Sequence, residues 1–278
     1  MANFSVVSNI ASLTAQNQLA RTQLGLSRTL NRLSSGLRIN GAQDDAAGLA
    51  IADSLRADVA ALNQGVRNAN DGIAVINVAD AALQEISNLL QRAVTLAEQA
   101  GSDTSGQDSS TSKAAISDEY NEILTEIDRI SATVEFNGLS LLSGSGASLD
   151  IQVGAGSGAN DRITVTTSAV SASGLGLSSS TLITASGARA ELTEIQSAID
   201  TISSNRGDLG AAFNRLEATI AVVTTQAENL KAAESQIRDA NVASEVVNLT
   251  KFQVLNQTGL AALAQANLSS QSVLALLG

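Results

Sequence analysis

Apolar residues recur at alternating steps of three and four along four stretches of the chain, and this spacing constrains the fold more than any other feature. A repeat of 3.5 residues held over many turns is typical of coiled-coil packing. The stretches are Leu26–Leu37 (preceded by Val6, Ile10 and Leu13), Leu55–Ala97, Ile116–Val134 and Leu192–Leu230. At about 1.5 Å per residue, the two longest would form helices of about 60–70 Å.

The composition also favours long helices. The chain has 278 residues and no proline, the residue that most strongly breaks helix interiors. Its apolar residues are mostly small aliphatic ones, with four Phe, one Tyr and no Trp, and such residues suit narrow contacts between helices. We therefore predict a mainly α fold, an elongated coiled-coil helical bundle in which the three middle stretches pack on one another.

Three positions of the apolar repeat are polar: Asp80, Ser87 and Arg206. A polar residue in such a repeat can fix the register or the oligomeric state of a coiled coil. The same residues are equally compatible with places where the repeat faces solvent. Both interpretations stay open at the level of sequence.

Turn-forming residues predict where the helices end. Ser34-Ser35-Gly36 and Asn40-Gly41 interrupt the first stretch, Gly101–Gly106 separates the second from the third, and the third stops near Asn137-Gly138. These breaks divide the chain into long helices joined by short connections.

The segment at about 139–187 differs from the rest in being rich in Ser, Gly and Thr. Two short runs, Leu149–Val153 and Arg162–Thr166, have the alternation or β-branched content of strands, and GAGSGAND lies between them. We predict a small β-hairpin with a long loop, followed by irregular chain. The Gly-rich loop is not a phosphate cradle, because no helix beginning with Lys-Ser or Lys-Thr follows it.

The absent residue types exclude whole classes of active site. Without Cys and His the chain has no disulfide, no Cys or His metal site, no Ser-His-Asp triad and no Cys-His dyad. We therefore expect no catalytic, metal or cofactor site and classify the chain as a non-enzyme. An enzyme or ligand-binding module built on the Gly/Ser-rich segment is the rival, but no group of reactive side chains converges there.

Charge argues against nucleic acid as a partner, since the net charge is -11. Residues 1–43 are the exception, with Arg21, Arg28, Arg32 and Arg38 and no acid. A basic arm can contact nucleic acid or a membrane, but we interpret these arginines as partners for acids of a neighbouring chain. The sequence shows no secretion signal and no apolar run of membrane-spanning length, so we expect no membrane insertion.

The two terminal segments, 1–43 and 238–278, are apolar at helical spacing and carry few charges. Such helices would be unstable alone in water, so we expect them to be disordered or loosely helical until they are buried in each other or in other copies. The predicted subunit-packing residues are Leu26, Leu30, Leu33, Leu37, Val246, Leu249, Leu263, Leu274 and Leu277.

Long strings of residues at both ends resemble bacterial flagellin. The stretch from Arg32 to Ile86, beginning RLSSGLRINGAQDDAAGLAIADSLRADV, is similar to the flagellin N-terminal signature. The stretch from Leu209 to Gly278, beginning LGAAFNRLEATIAVV, is similar to its C-terminal counterpart. EIDRISATVEFNG and the IQVGA strand add to the resemblance, which covers about four-fifths of the chain.

The resemblance implies a short flagellin with only the two inner-shell domains. Residues 1–43 and 238–278 would pair as the terminal coiled-coil domain, and residues 44–237 would form the helical bundle with its β-hairpin, with no outer variable domain. The implied function is that of a self-assembling, extracellular subunit of the flagellar filament, exported by the type III route. The implied partners are other copies, an export chaperone on the C-terminal helix, and the filament cap and hook-junction proteins.

Two departures from the family pattern are visible. Related flagellins commonly have a proline near the C-terminus, where this chain has Leu268-Ser269-Ser270. Some flagellins contact Toll-like receptor 5 through a helix motif, and the matching positions here are Gln91, Arg92, Leu96 and Glu119. Val94 and Thr95 stand where a charged pair is expected, so receptor contact is a hypothesis, and ordinary solvated helix charges are the alternative.

Two other structural functions fit part of the pattern. A hook-filament junction protein shares the terminal helices of flagellin, and a secreted coiled-coil adhesin would share the long heptad stretches. The length of the match at both ends and the lack of an extra domain favour flagellin.

Overall fold

The computed structural model of the chain describes residues 9–102, 110–144, 146–177 and 182–277. These residues form a mainly helical fold, as the sequence predicts, with two small antiparallel strand pairs, of which the sequence predicts one. The helices are α1 (Ile10–Ser35), α2 (Ala46–Gly101), α3 (Ser110–Thr133), α4 (Ala185–Arg238) and α5 (Val242–Leu277). The strands are β1 (Glu135–Phe136), β2 (Leu139–Ser140), β3 (Ser148–Gln152) and β4 (Arg162–Thr166). Val6 and most of the predicted break Gly101–Gly106 lie outside the described residues.

The chain divides into two compact units. The first consists of the residues up to Val59 and those from Glu228 onward, and the second of Ala60–Ala227. Both boundaries fall inside long helices, α2 and α4. The domain limits inferred from the family resemblance, at 43 and 238, stay a prediction about the assembled protein.

Local side-chain and backbone geometry explains where α1 begins and ends. The side chain of Asn9 accepts a hydrogen bond from Ser12 N and caps the first turn. Gly36 ends the helix in the left-handed conformation (φ 72°), and its N–H donates to Arg32 O. The break predicted at Ser34-Ser35-Gly36 is therefore confirmed.

The apolar seam of the second unit follows the heptad pattern, but with one of its two tracks shifted by one residue. On α2 most of the buried positions step alternately by three and four: 62, 65, 69, 72, 76, 79, 83, 86, 90, 93, 97 and 100. The sequence pattern identifies 62, 69, 76, 83, 90 and 97 correctly and assigns the other track to 66, 73, 80, 87 and 94. At three positions the shift arises because the buried residue, Gly65, Gly72 or Ala93, is less apolar than the residue that follows it.

The two glycines of this seam are required by close packing against the β3–β4 hairpin. A Cβ on Gly65 would overlap the carbonyl oxygen of Val153, and a Cβ on Gly72 would overlap Cδ1 of Ile151. The hairpin therefore lies against α2 at the two positions that have no side chain.

The polar residues of the predicted repeat lie beside the buried seam. Asp80, Ser87 and Arg206 are half-buried, and Asp80 Oδ1 accepts a hydrogen bond from Arg206 Nε at 2.8 Å. Two of the three polar positions thus form one ion pair between α2 and α4.

The predicted hairpin is confirmed: β4 has the predicted bounds, and β3 begins and ends one residue earlier than predicted. β3 and β4 pair antiparallel with Ile151 opposite Ile163 and Leu149 opposite Val165. The prediction that α3 stops near Asn137-Gly138 is corrected: α3 ends at Thr133. Asn137 and Gly138 form the tight turn between β1 and β2, with φ angles of 51° and 79°.

The chain on either side of the hairpin is irregular in backbone but contributes to the core of the second unit. Its apolar side chains pack with those of α2, α3 and α4. The buried ones are Leu141 and Leu142 before the hairpin and Val170, Ala172, Leu175, Leu177 and Leu182 after it. A segment rich in Ser and Gly therefore contributes a few aliphatic side chains to the core of the second unit.

Candidate assembly surface of the terminal helices

Helices α1 and α5 of the first unit pack against each other in an antiparallel pair. Ser12 contacts Asn267 near one end, with 3.0 Å between Oγ and Oδ1, and Arg32 contacts Glu245 near the other, with 3.5 Å between Nη1 and Oε1. An isolated antiparallel bridge joins Leu37 to Asp239 beyond these contacts. The two chain ends are therefore paired along most of α1.

Two glycines fix the register of this pair. A Cβ on Gly25 would lie 2.6 Å from Cε1 of Phe252, and a Cβ on Gly259 would lie 3.3 Å from Cδ1 of Leu19. Each helix thus presents a large side chain to a glycine on the other. A shift of the pairing would place these side chains against residues that have a Cβ.

Among the described side chains of the seam between α1 and α5, the fully buried ones are polar, whereas large apolar residues that cross between the helices, such as Leu19 and Phe252, are only half-buried. Ser12, Thr22 and Thr29 are the buried residues of α1, and Glu245 is buried on α5. The Asn9 amide donates to Ala266 O at 3.0 Å. Small polar residues bury little apolar surface, so this seam contributes less to pairing than a Leu-rich heptad would.

Charged groups surround the end of the pair where α5 begins. The Arg32 guanidinium lies 3.5 Å from both Asp44 and Glu245, and Arg56 Nη2 donates to Glu234 Oε1 at 2.7 Å. Oε2 of Glu245 and Nε of Arg32 are buried without a hydrogen-bond partner in the described structure. The pairing of these charges is thus incomplete within a single copy.

Large aliphatic side chains lie outside the seam, on the surface of the same two helices. Val247, Val254 and Leu268 are 65%, 57% and 57% exposed, and Leu24 on α1 is 63% exposed. The three residues of α5 fall on one track of spacing seven, which Ala261 completes. The remaining large exposed ones of α1 and α5 are Ile10, Leu13, Leu30, Val242, Val246, Leu255 and Leu260. We call all of these residues the exposed aliphatic face.

The predicted subunit-packing residues divide between the seam and this face. Half-buried in the first unit are Leu26, Leu33, Leu37, Leu249 and Leu263, whereas Leu30 and Val246 belong to the exposed aliphatic face. The side chains of Leu274 and Leu277 lie outside the described residues. The sequence prediction does not include Leu24, Val247, Val254 and Leu268, although the spacing of seven on α5 is a signal that could have found three of them.

The residues matched to the receptor motif lie in the second unit. Arg92 Nη2 donates to Glu119 Oε1 at 2.6 Å, and both side chains are exposed, as is Gln91. Leu96 is only 2% exposed and packs in the core. The surface that a receptor can reach in this unit therefore includes Gln91, Arg92 and Glu119 but not the Leu96 side chain.

One buried polar pair links α3 and α4. The Tyr120 hydroxyl donates to Glu191 Oε1 at 2.5 Å, and the two residues are 0% and 6% exposed. Burial, and then the neighbouring Glu191 carboxylate, raise the pKa of the Tyr120 hydroxyl far above its ordinary value. The pair satisfies polar groups inside an aliphatic core.

The described residues can be checked for a membrane-spanning helix and for a metal site, neither of which the sequence predicts. No apolar run of membrane-spanning length is predicted from the sequence, but α2 is long and apolar enough to cross a membrane by length and composition. This is weak evidence, because the core helix of a water-soluble protein passes the same test, and α2 supplies core residues of the second unit. In the described ranges no three carboxylates are grouped to hold a metal ion.

Comparison with known proteins identifies the family. Residues 6–147 match the model of the bacterial flagellin N-terminal helical region, and residues 192–277 match that of the C-terminal helical region. Flagellin FlaB1 of Treponema pallidum is 38% identical over 97% of this chain and 98% of the relative. Flagellin of Bacillus subtilis is 38% identical over the same shares of the two chains. A crystal structure of Bacillus cereus flagellin, 33% identical, covers 60% of this chain and 94% of that chain with a TM-score of 0.49.

The two matched regions contain α1, α2 and α5, and therefore the helices that carry the polar seam and the exposed aliphatic face. The relatives align over nearly their whole length, so the short middle segment is shared with them. The chain belongs to the bacterial flagellin family, a family of structural proteins.

Proposed function

We propose that this chain is a structural subunit of a bacterial flagellar filament, located outside the cell, and that it has no enzymatic activity. The relatives named as flagellins and as flagellar filament core proteins support the proposal. The single observation that carries it is the distribution of side chains on α5. This helix has aliphatic residues on its outer face as well as toward α1, and outward-facing aliphatic side chains are stabilised when another surface covers them.

Other copies of the same chain are the partners that we propose for the exposed aliphatic face. Eleven large aliphatic side chains of these two paired helices are exposed, and such a concentration of exposed apolar residues is typical of an interaction surface. Burial of several hundred Å² of it contributes about 10 kcal/mol before the cost of ordering the helices. A contact between different surfaces of successive copies does not close on itself and gives an open helical polymer.

The weak seam between α1 and α5 supports assembly that is coupled to ordering of the chain ends. A pair in which only polar residues are fully buried and the large apolar ones are half-buried is marginal on its own, and burial of the exposed aliphatic face in the polymer would complete its stabilisation. The monomer then stays soluble while the polymer is stable. Before assembly, the same face of α5 would bind the export chaperone. Further proposed partners are the filament cap, the hook-junction proteins and Toll-like receptor 5.

Sedimentation and electron microscopy of the purified chain test the proposal. The wild-type chain should form uniform tubes above a critical concentration, and a chain lacking residues 238–278 should remain soluble and form none. The triple variant Val247→Ser, Val254→Ser and Leu268→Ser should raise the critical concentration at least about tenfold, since each change removes about 1 kcal/mol or more of apolar burial.

A matched control separates the role of this face from a general loss of apolar surface. Val222 on α4, in the second unit, is 66% exposed, and Val222→Ser should leave the critical concentration within about twofold of wild type. Tubes that form normally from the truncated chain would refute the proposed function.

A further inference from the structure

The second unit carries a strong excess of negative charge. Residues 60–227 contain 19 Asp and Glu but only 8 Lys and Arg. In such a unit most arginines are expected to lie beside carboxylates, and several do: Arg92 pairs with Glu119, Arg129 with Glu126 and Arg206 with Asp80. An arginine that has neither a close carboxylate nor a hydrogen-bond acceptor in these surroundings is therefore informative.

One such arginine, Arg215, lines an open cavity of about 430 Å³ between the β3–β4 hairpin and α4, and Arg162 lines the same cavity. Arg215 makes no hydrogen bond or ion pair with any residue that the structure describes, and Arg162 has only a 3.5 Å contact from Nη1 to Asp150 Oδ2. Asn160 and Thr219 add an amide and a hydroxyl to the same wall. We call this cavity the arginine cleft.

The chemistry of the cleft selects an anionic, planar group. Two guanidinium groups present a fork of N–H donors that matches a carboxylate, and the Asn160 amide and Thr219 hydroxyl can donate further hydrogen bonds. The apolar wall, Val153 and Ile163, excludes some of the water that would otherwise compete. The Asp150 carboxylate already accepts a hydrogen bond from Thr164 Oγ1 at 2.6 Å, and this bond holds it on the strand surface.

We propose that the arginine cleft binds a carboxylate side chain of a second copy of this chain. The partner is argued from charge: a copy of the same acidic unit offers many carboxylates. The cleft offers one cation, Arg215, that no described carboxylate neutralises, and a second, Arg162, with a single 3.5 Å contact to Asp150. The inference rests on the proposed filament function. The inference adds to that function a specific charged contact in the second unit, which is separate from the exposed aliphatic face of the first unit.

Substitution of the two arginines tests the contact. The double variant Arg162→Gln and Arg215→Gln should raise the critical concentration for assembly about tenfold while the melting temperature of the monomer stays unchanged. Arg67→Gln is the matched control: Arg67 is an exposed arginine of the same unit whose Nε and Nη2 donate only to Gln64, three residues earlier. It should assemble as wild type does.

A zero-length cross-link distinguishes a second copy from other sources of carboxylate. In tubes made from equal amounts of unlabelled and ¹⁵N-labelled Arg215→Lys chains, carbodiimide should join the introduced lysine to a carboxylate of the other isotopic form. Cross-links confined to a single copy would overturn the proposal, as would binding of free succinate to the cleft with assembly unaffected by the Gln variants.

The proposed function and the cleft contact fail in different ways. A normal critical concentration for the double Gln variant, in conditions where the wild-type chain forms tubes, refutes the cleft contact alone. Failure of the wild-type chain to assemble refutes the proposed function.

Discussion

The phenyl ring of Phe252 occupies the space in which Gly25 would carry a side chain. The nearest ring atom lies 2.6 Å from the position of a Cβ on Gly25, closer than two carbon atoms can approach. This contact joins the two ends of the chain, and it depends on one residue having no side chain at all.

Gly25→Leu should therefore disrupt the α1–α5 pair. The new side chain gains helix propensity of about 1 kcal/mol but overlaps the ring, and overpacking of this kind costs about 1–3 kcal/mol or more. We expect weaker amide protection of α1 and α5 and a higher critical concentration for assembly, measured by hydrogen exchange and sedimentation.

A compensating substitution provides the control for this prediction. Phe252→Ala removes the ring that the introduced leucine would overlap, so the double variant Gly25→Leu and Phe252→Ala should recover part of the protection lost in Gly25→Leu. If the two effects simply add, the proposed contact does not determine the stability of the pair.

Substitution of two glycines of the second unit by alanine should change the stability of the protein in opposite directions. Gly207 on α4 has no atom within 4 Å of the position that a Cβ would take, so Gly207→Ala should stabilise the protein by about 0.5–1 kcal/mol. Gly65→Ala should destabilise it, because the methyl group would overlap the backbone carbonyl oxygen of Val153. Thermal denaturation of both variants checks the prediction, and a loss of stability in Gly207→Ala would contradict it.

The Tyr120–Glu191 pair predicts a loss of stability at alkaline pH. Because the pKa of Tyr120 is raised in the folded state, the hydroxyl keeps its proton above about pH 10 while the unfolded chain releases it. The unfolded state then binds fewer protons, so the free energy of unfolding falls as pH rises above about 10, with a limiting slope of about 1.4 kcal/mol per pH unit.

Tyr120→Phe isolates this contribution. The variant should lose about 1.5–3 kcal/mol at neutral pH, since a hydrogen bond to a carboxylate is removed, but its stability should fall less steeply above about pH 10. The chain has one tyrosine and no tryptophan, so tyrosinate absorbance reports this residue alone. Ionisation of folded Tyr120 near its ordinary pKa of about 10 would contradict the prediction.

The Asp80–Arg206 ion pair should contribute little to stability. The Asp80 and Arg206 side chains are 43% and 34% exposed, and exposed pairs typically contribute about 0.2–1 kcal/mol. A double-mutant cycle with Asp80→Asn and Arg206→Gln should give a coupling energy in that range, which decreases at high salt. A coupling above about 2 kcal/mol would instead support a register-setting role.

The heptad spacing predicts the existence and approximate length of the helices because it depends on large apolar residues, which are legible in one sequence. It misplaces one track of the α2 seam because Gly65 and Gly72 are buried at positions where a larger side chain would not fit. A hydropathy scale does not identify glycine as a buried residue. The need for glycine there comes from Ile151 and Val153 of the hairpin, which are distant in sequence. Such pairings depend on tertiary contacts and cannot be inferred from local pattern.

The assembly surface is predictable only in part for a related reason. Leu26 and Leu33 are apolar at heptad spacing, but they are already half-buried within one copy. Leu24 and Val247 are exposed, whereas the polar residue Thr22 is buried. This is the reverse of the usual preference for burying aliphatic side chains. A sequence rule that assigns apolar residues to the buried side of a helix cannot predict this arrangement.

The fixed register of α1 against α5 limits how the length of this chain can change. One residue added between Leu19 and Gly25 would turn everything beyond it by about 100°, and Leu19 and Phe252 could no longer both meet a glycine. Insertions and deletions should therefore be excluded from both terminal helices and tolerated in the loop between β3 and β4, whose ends are held by the strands themselves.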